Sequence, residues 1–146
     1  MASDKYNALE TELETDLNAD SEITNKFNLI EKKFREDCRS FLKTQIPALS
    51  FEAVESSPSD ESDHHRKIRV LFEVNNFCAN MDTARQSIKE LVSLVEDFLM
   101  TNSWTRAEET FVGRSGYMTE KDKNGFRVLG HVEAEIELLL TETTVK

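Results

Sequence analysis

The chain has 146 residues, of which 38% are hydrophobic and 32% are charged, and it carries a formal net charge of −10. This length is typical of one domain whose hydrophobic core needs neither disulfides nor a metal. With two prolines and four glycines, the composition excludes collagen-like and low-complexity classes. There is no run of ~18 apolar residues and no signal-peptide profile, so we expect a soluble intracellular protein.

The acidic charge is concentrated at the N-terminus. Residues 1–25 hold seven carboxylates against Lys5 alone, a balance of −6, which leaves −4 for residues 26–146. Because neutralising phosphates requires clustered Lys and Arg, we expect no direct nucleic-acid binding. No segment favours a membrane partner. An acidic arm that binds a protein, or a mimic of DNA, stays open.

Four apolar side chains share one face of a predicted N-terminal helix: Tyr6, Leu9, Leu13 and Leu17. Their spacings of three and four residues are those of a helical stripe. A single short helix is marginal in water, so the stripe must lie against either the body of its own chain or a neighbour. We therefore predict an acidic helical arm over residues 1–20, followed by one domain.

A second helix is predicted over residues 21–45. Its apolar residues recur at helical spacing: Ile23, Phe27, Ile30, Phe34, Cys38, Phe41 and Leu42. Pro47 ends it, because the residue before a proline is pushed out of helical geometry. The period then changes to two, which predicts a short strand from Leu49 to Ala53. The polar stretch 56–66 is expected to be an exposed loop.

The pattern after this loop predicts a strand, a helix and a hairpin. Residues 67–74 alternate between apolar and polar, and residues 82–102 carry a wide apolar helical face that Asn80 or Asp82 can cap. We expect Trp104 to anchor the end of this helix. A strand from Thr105 to Val112 is followed by a long connection, 113–125, which ends in the turn signal Asn124-Gly125.

The last strand is unusually long. From Phe126 to Leu140 every second residue is non-polar, and such a strand spans about 50 Å, against the usual ~5–6 residues. We expect it to bend at Gly130, to extend past the body, or to complete a surface shared with another subunit. The element order predicts an α+β domain: an antiparallel or mixed sheet of about four strands, with helices packed on one face and an N-terminal helical arm.

A loop rich in aspartate and histidine is the first candidate for chemistry. Its members are Asp60, Asp63, His64 and His65. Adjacent histidines point in different directions and no His or Cys pair lies at ligand spacing, so we interpret this segment as a solvated loop. Cys38 and Cys78 lie in apolar patterns without a CxxC motif, which favours reduced, buried thiols. We expect no metal and no cofactor.

Two segments near the C-terminus complete the candidates. Gly113 and Gly116 belong to no phosphate-loop motif, since neither GxxxxGK[ST] nor GxGxxG is present. Glu133, Glu135 and Glu137 place three carboxylates on one face of a strand, about 7 Å apart. A regular row of this kind is typical of a solvated face, or of a charged strip that discourages wrong strand pairing. We therefore do not expect an enzyme.

The second half of the chain carries a family resemblance. A strand Lys-Ile-Arg-Val-Leu-Phe-Glu-Val precedes a helix of about twenty residues that opens Met-Asp-Thr-Ala-Arg. A strand, the loop Gly-Arg-Ser-Gly-Tyr-Met-Thr-Glu-Lys-Asp-Lys-Asn-Gly-Phe-Arg and a long alternating strand follow. This pattern over residues 67–140 resembles the tail terminator (tail completion) proteins of long-tailed bacteriophages, and the resemblance covers about half of the chain.

The resemblance implies a structural virion protein with no catalytic residues to carry over. Such proteins form a six-fold ring on the head-proximal end of the tail tube, stop its polymerisation and provide the surface for joining to the head. It implies a homohexamer that meets the tail tube protein and a head-completion or connector protein, in the virion tail or neck after assembly in the host cytoplasm. The candidate contacts are Arg114, Tyr117, Lys121, Lys123, Leu9, Leu13 and Leu17.

Two other classes are weighed against this one. The alternative is a small acidic protein-binding module, of the inhibitor or DNA-mimic type, which would use its net charge for steering and lose affinity with salt. An enzyme working through the Glu133–Glu137 face or through the histidine loop ranks last.

Overall fold

Helices and strands follow one another through the part of the chain that the computed structural model describes, residues 5–32, 45–58, 65–101 and 104–139. The elements are α1 (Lys5–Ala19), α2 (Ser21–Lys26), β1 (Leu29–Glu31), β2 (Ala48–Pro58), β3 (His65–Cys78), α3 (Met81–Met100), β4 (Thr110–Asp122) and β5 (Gly125–Leu139). A 3-10 turn, Ala107–Glu109, leads into β4. The predicted α+β class is confirmed.

The strands form one mixed sheet in the order β1-β2-β3-β5-β4. All neighbours are antiparallel except β1, which runs parallel to β2 and raises the number of strands from the predicted four to five. The long β5 strand is confirmed at 15 residues. It lies between β3 and β4, with 14 and 13 residues. Strands of its own chain therefore cover both sides of β5, and its length alone gives no reason to invoke a second subunit.

The core lies between the sheet and the helices. Gly130 of β5 faces α3 so closely that an added Cβ would lie 2.6 Å from Val92 Cγ2. Phe51 and Phe72, on adjacent strands, stack with ring centroids 5.5 Å apart. The predicted cap of α3 is confirmed, since the Asn80 side chain accepts a hydrogen bond from the Thr83 N–H group.

Trp104 anchors the end of α3, as its sequence position predicts. Its indole stacks on Phe98 with ring centroids 5.8 Å apart, and Nε1 donates a hydrogen bond to the Leu99 carbonyl. Only 5% of the side chain is exposed. The chain that leaves α3 is therefore held against the core before it enters β4.

The N-terminal leucine stripe lies against the body of its own chain. Leu9, Leu13 and Leu17 are 2%, 0% and 0% exposed and belong to the same core cluster as the sheet residues. In this arrangement they have no surface to offer a partner, so the expectation that they are partner contacts is corrected. Burying the only apolar face of α1 removes the reason for it to seek a neighbour.

The predicted helix over residues 21–45 is confirmed only over Ser21–Lys26 and is wrong over the described residues that follow, 27–32. The helix α2 ends at Lys26, Phe27 is already extended, and β1 follows. Asn28 explains the change, because its backbone N–H donates to the Pro47 carbonyl and its side-chain amide donates to the Ile46 carbonyl. These bonds hold the chain extended alongside β2. Residues 33–44, with Cys38, lie outside the described residues.

The predicted connection 113–125 is also wrong, because most of it is strand. β4 runs from Thr110 rather than Thr105 and continues to Asp122, with a bulge between Val112 and Ser115. Pairing with β5 overrides the weak strand propensity of its glycines and charged residues. The predicted turn is present one residue earlier, at Lys123-Asn124, and Gly125 already pairs with Asp122 as the first residue of β5. Only a residue without a Cβ fits at Gly125, since an added atom would lie 2.5 Å from the Cys78 carbonyl oxygen.

The polar stretch 56–66 is shorter as a loop than predicted. β2 runs through Pro58 and β3 begins at His65, so both ends of the stretch belong to strands. Pairing of Ser56 with Ile68 and of Pro58 with Arg66 extends the hairpin ladder into the polar sequence. Residues 59–64 lie outside the described residues.

Candidate assembly surface

One edge of the sheet is long and exposed. β4 has no described strand on its outer side, and it extends over 13 residues. Phe111 and Met118, both on this strand, are 69% and 62% exposed. An edge with free backbone groups and apolar side chains is a template for pairing with another chain. The sequence reasoning missed these two residues because it placed only the first of them on a strand.

The opposite edge of the sheet is protected. β1 covers β2 at Ala48–Ser50. Further along β2, the Ala53 N–H group donates a 2.7 Å hydrogen bond to a carboxylate oxygen of Glu10 on α1. A carboxylate on an edge N–H group blocks the pairing of a further strand at that point. The two edges therefore differ, and β4 is the edge that stays accessible.

The three predicted cationic contacts do not form one cluster. Lys121 and Lys123 lie together at the end of the β4–β5 hairpin, and both are exposed. Arg114 lies in the bulge of β4, seven residues before Lys121, which is about 23 Å of extended strand. Tyr117 lies between them, opposite Gly130, and is 37% exposed. The structure thus unites two of the three cations and separates the third.

The hairpin end carries a net charge of +1, because Lys121, Lys123 and Arg127 stand against Glu120 and Asp122. Arg127 pairs with both carboxylates. Its guanidinium donates to the Asp122 carboxylate at 2.7 Å and lies 3.9 Å from Glu120. Its side chain is only 12% exposed. Within the described residues, neither lysine ammonium has a hydrogen-bond or ion-pair partner. Counting outward from a turn at Asn124-Gly125 would place Asp122 opposite Arg127. In the structure the loop is Lys123-Asn124, which places Glu120 opposite Arg127.

The acidic face of α1 is largely used inside the chain. Besides the bond from Glu10 to β2, Glu12 forms a 2.9 Å salt bridge with Arg106, and Asp16 accepts a hydrogen bond from the Thr105 N–H group. These contacts tie α1 to β2 and to the segment before β4. The predicted acidic arm is therefore bound by its own carboxylates as well as by its leucines.

A groove of about 470 Å³ opens where α1, α2 and α3 meet. Its lining residues are Asp16, Ala19, Asp20, Ser21, Glu22, Ile23, Leu94, Phe98 and Thr101. Three of them are acids, and three others supply an apolar floor. Asp20 is also the cap of α2, since its side chain accepts hydrogen bonds from the Glu22 and Ile23 N–H groups. The Glu22 carboxylate is exposed and has no partner among the described residues.

A row of polar residues crosses the face of the sheet opposite α3. Ser50, Glu73 and His131 are neighbours on β2, β3 and β5. Burial raises the pKa of the Glu73 carboxyl above its usual value, and a hydrogen bond from Asn75 opposes that shift in part. Glu73 lies between Ser50 and His131, which are therefore two strands apart, about 10 Å. The His131 ring lies over Gly116 of β4 and not beside Ser50. This row contains no contact between a nucleophile and a base.

The remaining candidates for chemistry are strand or loop residues. Gly113 and Gly116 lie on β4, where their neighbours are β5 residues, and Glu133 forms a 3.0 Å salt bridge with Arg69. His65 begins β3, and the other three members of the histidine loop lie outside the described residues. Within the described ranges, no group of three His, Cys, Asp or Glu side chains is placed to hold a metal ion.

The sequence matches no protein-family model and no curated protein. The resemblance to tail terminators therefore depends on the residues quoted for it. Among the described residues, no helix is long and apolar enough to cross a membrane. Cys78 is buried and free, as predicted, and burial raises the pKa of its thiol while a hydrogen bond with Ser87 acts in the opposite direction.

Proposed function

We propose that this protein is a structural subunit of a long-tailed bacteriophage: a ring-forming tail terminator that caps the tail tube and contributes to head–tail joining. It acts in the tail or neck of the virion, after assembly in the host cytoplasm. Its partners are further copies of itself in a hexameric ring, the tail tube protein, and a head-completion or connector protein.

The exposed β4 edge is the observation that carries this proposal. No described strand lies beside the 13 residues of β4, and Phe111 and Met118 on it are largely exposed. Assembly buries surfaces of this kind. The order strand, helix, strand, strand from β3 to β5 supports the resemblance, although most of the segment quoted as its loop belongs to β4.

Solution mass and electron microscopy test the proposal together. Light scattering behind a sizing column, at micromolar to millimolar concentration, is expected to detect a species of about six times 16.8 kDa, and negative-stain images of it are expected to show six-fold rings. The same protein, added to a polymerising tail tube protein, is expected to shorten the tubes.

Two results would contradict the proposal. Tube lengths that are unchanged at a molar excess of this protein would exclude the capping role. A monomer that captures one protein partner in a 1:1 complex, with an affinity that collapses with salt, would instead favour the acidic binding module.

A further inference from the structure

The two charged surfaces of the subunit lie at opposite ends of α3. The hairpin turn lies beside the start of α3, because Gly125 touches the end of β3 at Cys78 and the helix begins three residues later at Met81. The groove is lined by Leu94, Phe98 and Thr101, at the other end of the same helix. Twenty helical residues separate the ends by about 30 Å.

The groove is suited to a cation. Asp16, Asp20 and Glu22 line it, and α1 and α3 both direct their C-terminal ends toward it through Ala19 and Thr101. A helix C-terminus carries partial negative charge, which a basic residue in the last turn usually offsets. Neither helix has such a residue. The N-terminus of α2 also lies in the groove, where Asp20 and Glu22 offset its partial positive charge. Because Asp16 and Asp20 already accept backbone hydrogen bonds, Glu22 is the carboxylate without a partner among the described residues, beside the two helix C-termini.

The floor of the groove is apolar. Ile23 and Phe98 are 0% and 4% exposed, so the partly buried Leu94 supplies most of the apolar surface that a partner can touch. A lysine side chain fits such a site better than a free metal ion or a small cation, because its methylene stem packs on apolar atoms while its ammonium group stays near carboxylates. The site thus favours a basic segment that also carries apolar side chains.

The hairpin end of the same chain has this chemistry. Lys121 and Lys123 are exposed with no partner for their ammonium groups among the described residues. Met118, which is 62% exposed, lies on the opposite face of β4 from Lys121, so the lysine stems supply the apolar contact. We propose that the β4–β5 hairpin end of one copy docks into the α1–α2–α3 groove of a second copy, with a lysine among the groove carboxylates. This contact rests on the proposed function and identifies the surfaces that join neighbouring subunits.

A contact between opposite ends of two copies is head-to-tail. Such a heterologous contact repeats in every subunit, and it closes into a ring when the rotation permits and grows into a filament when it does not. The net charge of −10 makes whole subunits repel one another. At about 0.15 M salt the screening length is ~8 Å, so repulsion across the subunit is damped while the close contact survives. Association is therefore strongest at moderate salt.

Charge reversal at each end tests the docking. Lys121→Glu combined with Lys123→Glu alters the hairpin end. Glu22→Lys alters the groove and leaves Asp16 and Asp20 in place, because both accept hydrogen bonds from backbone N–H groups. Each change alone is expected to weaken self-association about tenfold or more at 0.15 M salt, because a like-charge pair replaces an attractive one. Combining the changes is expected to recover only part of the loss, because Asp16 and Asp20 stay in the groove while Glu22→Lys supplies a single cation.

Control variants and matched readouts make the result decisive. Lys89→Glu, on the exposed side of α3, changes the net charge by the same sign as a hairpin reversal and is expected to leave association nearly unchanged. Sedimentation velocity gives the assembly state, and thermal unfolding followed by circular dichroism checks that each variant is folded. A variant that has lost its fold is replaced by the milder Lys123→Gln or Glu22→Gln, for which a smaller loss of the same sign is expected.

Three outcomes overturn the inference. The first is a wild-type chain that stays monomeric up to about 1 mM, a concentration that detects even weak contacts. The second is ring assembly that neither charge reversal weakens. This result refutes the docking but leaves the proposed function intact. The third is a dimer that Glu22→Lys does not affect, which indicates two-fold pairing of β4 edges instead.

Discussion

Replacing Gly130 by alanine tests whether α3 packs directly on the middle of β5. An added Cβ would lie 2.6 Å from Val92 Cγ2 and 3.0 Å from Ile88 Cδ1, against the ~3.5–4.0 Å that carbon atoms prefer. Val92 is β-branched and lies within a helix, where essentially one χ1 rotamer is available. The methyl group cannot swing aside, so the helix itself has to move away from the sheet.

The size of the effect follows from two opposing contributions. Overpacking a well-filled core costs about 1–3 kcal/mol, whereas removing a glycine from a strand interior gains about 0.5–1 kcal/mol. We therefore expect Gly130→Ala to lower the free energy of unfolding by about 0.5–2 kcal/mol, and Tm by roughly 2–8 °C. Urea unfolding followed by the fluorescence of Trp104, the single and buried tryptophan, measures the change.

Gly113→Ala is the matched control. An added Cβ there meets its nearest atom, the Glu133 carbonyl oxygen, at an ordinary 3.5 Å, so this variant is expected to be neutral or up to ~1 kcal/mol more stable. Shortening Val92 to alanine in the Gly130→Ala chain should recover stability beyond the sum of the single changes, by about 0.5–3 kcal/mol. Equal stability of Gly130→Ala and Gly113→Ala, with no such coupling, would refute the packing argument.

Three further changes test other parts of the structure. Leu13→Ala is expected to lower the free energy of unfolding by about 2–5 kcal/mol, because the side chain is fully buried; a loss well below ~1 kcal/mol in urea unfolding would mean that α1 is a detachable arm. Arg127→Met should speed hydrogen exchange of the amides 119–122, since Asp122 loses its cation, and exchange as slow as in the wild type would contradict the role of that pair. Burial raises the folded-state pKa of Glu73 above the ordinary 4.5. The native state therefore binds the proton of this carboxyl more tightly than the unfolded state does. The contribution of Glu73 to the free energy of unfolding is full below pH 4.5 and falls as pH rises through the raised pKa. Glu73→Gln should remove this fall. If the variant and the wild type show the same dependence of stability on pH between about pH 4 and pH 8, the reasoning is contradicted.

The elements that the sequence predicted well are those with a single period and a clear boundary. α3 has one apolar face and the Asn80 cap, and β5 alternates without interruption from a turn signal. The helix predicted over residues 21–45 is wrong beyond Lys26. Ile23 and Phe27 are both buried and lie at helical spacing, but the backbone of Phe27 is already extended. What decided that region was the pair of hydrogen bonds from Asn28 to the segment before β2. A contact between residues 18 apart has no periodic signature.

The candidate assembly surface was predictable only in part, and charge explains why. Lys121 and Lys123 were singled out from the sequence and lie exposed at the hairpin end, yet a count of charges along the chain could not tell which acids remain free. Glu10 and Glu12 of the acidic N-terminus hold a β2 N–H group and Arg106. Asp16, which lines the groove, is also bound to the Thr105 N–H group. The negative potential left for a partner arises where two helices end side by side, and helix ends carry partial charge that a list of ionisable residues omits. The fold, rather than the charge count of the sequence, therefore creates the surface that a partner recognises. Replacing the exposed Glu22 should weaken binding of the partner more than it lowers the free energy of unfolding.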